Sequence, residues 1–207
     1  MQSLKYELKW FLQSTNGIDL EAFVPIFHRW IQTQRLDDVL IDVADYRHVP
    51  NGPGVLLIGH DAQYSMDQSD GRLGLLYSRR RETHPSRQGI QSVAARLQSV
   101  FQDALFACQQ LESETTLQGK LQFRTDAMTL RINDRLRAPN TEDAYRELRQ
   151  HLDLFLAHLY PEGQSTIAHE SESRSRLTVA ISVKPATNVD TLLARLGQNS
   201  HVASVSS

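Results

Sequence analysis

The sequence predicts an α+β fold: antiparallel sheets with amphipathic helices on one face, arranged as two ferredoxin-like (βαββαβ) halves. Three observations predict it. Four segments repeat apolar residues at three- and four-residue steps, as helices do. Between them lie short runs rich in Val, Ile, Leu and Tyr, bounded by Gly, Pro, Asn and Asp, which read as strands. In chain order, residues 119–207 give strand, helix, strand, strand, helix, strand, the split βαβ order. Residues 1–118 give strand, helix, three strands, helix. The expected division is therefore an N-terminal α+β half at 1–118 and a ferredoxin-like half at 119–207, with one compact domain as the other arrangement.

Each element has a local cause. In the opening stretch Leu4, Tyr6, Leu8 and Trp10 alternate with Lys5, Glu7 and Lys9. The first helix follows Asn16-Gly17-Ile18-Asp19, where Asn16 or Asp19 serves as cap. Leu20, Phe23, Phe27, Trp30 and Ile31 then form one stripe, with Pro25 suited to the first turn. Val39–Tyr46 and Val55–His60 flank Pro50-Asn51-Gly52-Pro53-Gly54, the turn chemistry of a hairpin. Leu73–Tyr77 is a further strand after Asp70-Gly71. The second helix is the clearest: Ile90, Val93, Leu97, Val100, Ala104, Cys108 and Leu111 share a face. Leu121–Leu136 fits one bent strand or a tight hairpin. The third helix starts after Pro139-Asn140 and carries Ala144, Leu148, Leu152, Phe155 and Leu159. Thr166–His169 and Leu177–Val183 read as strands around a polar loop. The last helix is capped by Asn188, buries Leu192, Leu193 and Leu196, and is expected to stop at Gly197.

Composition excludes several classes. Lys plus Arg number 22 and Asp plus Glu 24, for a net charge of −2. That balance offers no basic field for nucleic acid, and the aromatic K/R-G-F/Y pattern of an RNA-binding sheet is missing. The longest apolar runs are about four residues, against ~20 for a membrane span. One cysteine, Cys108, rules out an intramolecular disulfide framework or a multi-cysteine metal site. With no charged-then-apolar export pattern at the start, a cytoplasmic location is the expectation. No phosphate-loop, dinucleotide or metal-ligand spacing occurs, so neither cofactor nor metal is expected.

The densest polar cluster runs from Asp42 to Arg72. Strict alternation puts Val39, Ile41 and Val43 on one face of their strand and Leu40, Asp42, Ala44 and Tyr46 on the other. A mid-strand carboxylate such as Asp42 has to be solvated, paired or shifted in pKa. His60 and Asp61 end an apolar strand, where Gly59 marks a close backbone approach. Together Asp42, His48, His60 and Asp61 make the candidate centre of a small acid/base hydrolase or transferase. Tyr64, Arg72, Arg79, Arg80 and Arg81 are the candidate ligand-binding residues. The last three belong to the one strongly basic segment, Ser78–Arg87, which leads into the second helix. Asp67–Gly71 reads as a turn. Arg124, Arg131 and Arg135 share one strand-like segment, but the paired glutamates that polyphosphate chemistry would need are absent beside Glu7-Leu8-Lys9. The preferred reading is a non-catalytic module that binds a small anionic ligand or a partner protein. A homodimer is expected to cover the sheet face the helices leave open.

Overall fold

Alternation places Tyr6, Leu8, Trp10 and Leu12 of β1 (Tyr6–Leu12) on one face and Glu7, Lys9 and Phe11 on the other. In the computed structural model, which describes residues 5–83, 87–90, 92–172 and 175–202, this strand lies inside a single sheet. The first half continues with α1 (Phe23–Thr33), β2 (Leu40–Tyr46), β3 (Gly54–Gly59), β4 (Ala62–Asp67), β5 (Gly74–Arg79) and α2 (Val93–Glu112). The second half holds β6 (Phe123–Ile132), α3 (Glu142–Leu159), β7 (Gln164–His169), β8 (Leu177–Lys184) and α4 (Val189–Val202). All eight strands are antiparallel, in the order β2-β3-β4-β5-β1-β6-β8-β7. The protein is thus a mixed α+β molecule with four helices among the described residues. β1 pairs with β5 on one side and β6 on the other, so the sheet runs unbroken across position 118/119.

Register explains the core. Leu8 sits between Tyr77 and Leu130, and Trp10 between Leu75 and Met128, so these side chains line the face on which the helices pack. Phe101 of α2 meets Trp10 edge-on at 5.9 Å and Phe155 of α3 at 4.7 Å. One buried cluster therefore joins both halves. Cys108 lies in it, fully buried, and burial pushes its thiol well above the ordinary range. No described helix is long and apolar enough to cross a membrane.

Several elements differ from the sequence reading. β4 lies within what reads as a polar cluster: Ala62, Tyr64 and Met66 alternate inward while Gln63, Ser65 and Asp67 face the other way. Residues 123–132 form one strand, not a hairpin. Ser92, whose side chain accepts from the Ala95 N–H at 3.1 Å, starts α2 later than Ile90, and Thr141 rather than Asn140 caps α3. Asn140 instead ties the 170–175 loop through its amide. α4 continues past Gly197, and any strand beyond it lies outside the described residues. A bulge between Leu40 and Asp42 turns Leu40 inward and leaves Ile41 55% exposed. The strict alternation expected of that strand is thereby broken.

The face away from the helices is covered largely by its own charges. Lys9, 4% exposed, pairs with Asp67 at 2.6 Å and with Asp70. Two residues away Glu7 pairs with Arg131 at 3.3 Å and Arg176 at 3.1 Å. Toward β2 the same face carries Tyr46, Leu56, Ile58 and Leu76, which no helix covers.

Candidate functional site

The β3–β4 connection is the two-residue turn His60-Asp61, and it is built tightly. Asp38 accepts the N–H groups of Asp61 and Ala62, the latter at 2.9 Å. A Cβ at Gly59 would overlap the Asp38 carboxylate, so glycine is required there. Burial raises the pKa of Asp38, against the pull of the Asp61 N–H.

Asp61 is fully buried and organises the segment after β5. Its carbonyl accepts the N–H groups of Arg80 and Arg81 at 2.8 and 3.0 Å. Its carboxylate accepts the Thr83 N–H at 2.7 Å and the Thr83 hydroxyl, and lies 2.9 Å from His60 Nδ1. The imidazole itself is half exposed.

Behind the turn lies a buried ion cluster. Continuing the inward alternation of Leu75 and Tyr77, Arg79 points toward α2 and is 2% exposed. Arg79 donates to Asp103 at 2.8 Å, to Ser99 at 2.9 Å and to the Tyr77 hydroxyl at 3.0 Å. Arg87 donates to the same Asp103 oxygen at 3.0 Å and to the Asp37 carbonyl at 2.6 Å, with Asp61 3.5 Å away. Arg96 makes a two-pronged contact with Glu82 at 2.7 and 3.1 Å. Tyr77 donates to Asp103 at 2.9 Å; burial first, then the Asp103 charge, pushes its pKa upward. Among the described residues Nη1 of Arg79 and of Arg87 has no hydrogen-bond partner, although Glu82 and Asp61 lie within ion-pair range.

The structure therefore gathers His60, Asp61, Tyr64 and Arg79 around one corner of the sheet. Tyr64 is 1% exposed, its ring 5.2 Å from that of Tyr77. Arg80 and Arg81 are exposed beside this corner and meet no carboxylate among the described residues. His84, Pro85 and Ser86 of the same basic segment lie outside the described residues.

Three sequence candidates sit elsewhere. Asp42 lies opposite Ile58 on the sheet's other face, exposed, accepting its neighbour Val43's N–H at 2.8 Å. His48 follows the end of β2 that pairs with Gly54, whereas His60 follows Gly59. At ~3.3 Å per residue the two histidines are roughly 20 Å apart along the hairpin. The four-residue centre Asp42, His48, His60 and Asp61 is thus not assembled; only its last two members touch. Arg72 stacks on Phe11 at 3.8 Å, at the far end of β5 from Arg79. In the same polar stretch Asp45 is clasped by Arg47, which holds its pKa down at about 2.

Sequence reasoning missed Asp38, Arg96 and Asp103. One signal was present: an arginine two residues beyond core Tyr77, on the same strand, must find a buried counter-ion. No protein-family model matches the chain, and no curated protein matches it.

Proposed function

We propose that the protein is a non-catalytic binding module whose ledge of Arg80 and Arg81, beside His60, takes an anionic group of a small ligand or a partner protein. The contrast between neighbouring arginines carries the reading. Arg79 is buried and engaged by Asp103, whereas Arg80 and Arg81 are pinned through their backbones to Asp61 and keep their guanidinium groups exposed. Guanidinium groups on a fixed backbone, without an internal counter-ion, match phosphate and carboxylate. Titration calorimetry with phosphorylated metabolites and acidic peptides tests this. The double variant Arg80→Ala/Arg81→Ala is expected to weaken binding by at least roughly tenfold, as charge-assisted hydrogen bonds contribute about 1.5–3 kcal/mol each. Both side chains are exposed, so stability should move by less than about 0.5 kcal/mol. Unchanged affinity in the double variant ends the reading.

One contact favours a second reading, the acid/base hydrolase or transferase. Asp61 Oδ1 lies 2.9 Å from His60 Nδ1, an arrangement that orients the ring and leaves Nε2 for proton transfer. That reading now rests on His60 and Asp61, with Arg80 and Arg81 to hold an anionic substrate. Turnover abolished by His60→Gln would place it first; binding without turnover keeps the module.

Two finer points of architecture are part of the proposal. The order β1-β6-β8-β7 is that of a βαββαβ unit whose last strand is supplied by β1, which supports a ferredoxin-like half at 119–207 completed from outside it. The uncovered apolar area of Tyr46, Leu56, Ile58 and Leu76 supports a homodimer. Sedimentation velocity is expected to give a dimer, and a strict monomer at all concentrations removes the homodimer.

A further inference from the structure

On the face opposite the helices, Glu7 is buried and its carboxylate is fully used: it accepts from Asn133 at 2.8 Å, Arg176 at 3.1 Å and Arg131 at 3.3 Å. Two guanidinium groups thus share one carboxylate, which leaves one positive charge over. Nη2 of each arginine, and Nε of Arg176, have no partner among the described residues. Both side chains remain partly open, 25% and 38% exposed. Beside Arg131 is a small, partly open cavity of about 10 Å³, bounded in part by Glu7, Lys9, Asp67, Asp70 and Thr129. That is room for about one water. Across it, Asp67 and Asp70 already neutralise Lys9 and draw Arg72 to 3.9 Å, so the surplus charge stays with Arg131 and Arg176.

We propose that this open face is a second binding site, in which Arg131 and Arg176 clasp the phosphate of a phosphorylated ligand. Their free N–H groups project from adjacent strands: position 131 pairs with Thr178 on β8, and Arg176 immediately precedes that strand. Glu7, itself held by the Asn133 amide, holds both guanidinium groups in place before any ligand arrives, so little side-chain freedom is lost on binding. Phosphate fits better than a carboxylate because its additional oxygens can meet the Nε and Nη2 of Arg176 and the Nη2 of Arg131 at once. The site shares its end of the sheet with the Arg80–Arg81 ledge, since Glu7 pairs with Ser78 of β5, but its hydrogen bonds involve neither Arg80 nor Arg81.

The test is a titration of the ¹⁵N-labelled chain with inorganic phosphate, against chloride at matched ionic strength. Saturable shifts at the amides of Thr129, Asn133 and Thr178 are expected. Arg176→Gln, half-exposed and tolerant, and Arg131→Gln should each raise the apparent Kd by roughly tenfold, the loss of one charge-assisted contact. Arg80→Ala/Arg81→Ala should leave those shifts unchanged. Absence of saturable shifts on this face, or an apparent Kd unchanged in Arg176→Gln, overturns the proposal. Shifts confined to residues 80–83 overturn it as well and leave the ledge standing.

Discussion

Asp103→Ala is expected to cost about 3–5 kcal/mol of folding stability, read as a fall in the urea midpoint. A single oxygen of this carboxylate takes Arg79, Arg87 and the Tyr77 hydroxyl. Both arginines are 2% exposed, so removing their shared partner leaves two cations and a phenol in a nearly water-free corner. Glu82, 3.8 Å from Arg79, and Asp61, 3.5 Å from Arg87, are too far to replace direct hydrogen bonds. The cause is the orphaned charge rather than the lost contact itself. Adding Arg79→Met and Arg87→Met to the same chain should therefore recover part of the loss. If Asp103→Ala alone costs less than about 1 kcal/mol, water reaches the cluster and the corner is not a closed network.

Phe101→Ala is expected to cost a similar amount, about 3–5 kcal/mol, by opening a cavity that rigid neighbours cannot fill. The ring stands between Trp10 of β1 and Phe155 of α3, so it ties the first half to the second. Near-ultraviolet and far-ultraviolet circular dichroism in urea should report one coincident, shifted transition, because β1 and β6 are also paired backbone to backbone. Two separated transitions would instead mean that residues 1–118 and 119–207 unfold as independent domains.

Amphipathic stripes were the most legible part of the fold. The Val93–Leu111 stripe and the Leu148–Leu159 stripe identify α2 and α3 because a helix buries one face and repeats it every turn. β4 was hidden because Asp61, Asp67 and Asp70 crowd its ends, although Ala62, Tyr64 and Met66 carry a clean two-residue period. The bulge at Ile41 could not be read from the run Leu40–Tyr46, since it depends on how β3 pairs with it. Of the candidate site, the His60–Asp61 pair and Arg79–Arg81 were visible as polar residues ending apolar strands. Asp38, Asp61 and Asp103 come from three separate stretches, and no local spacing encodes their meeting. It arises because the segment before β2, the β3–β4 turn and the middle of α2 converge in three dimensions around Arg79 and Arg87.

The central position of β1 bears on synthesis at the ribosome. Both of its edges stay without partners until the polypeptide has emerged as far as Gly74–Ser78 and then Phe123–Ile132. A nascent chain carrying Tyr6, Leu8 and Trp10 must wait for distant segments before those residues are sheltered, a topology that slows folding and prolongs exposure to self-association. Chaperone demand during translation should accordingly peak before residue 132 has cleared the exit tunnel.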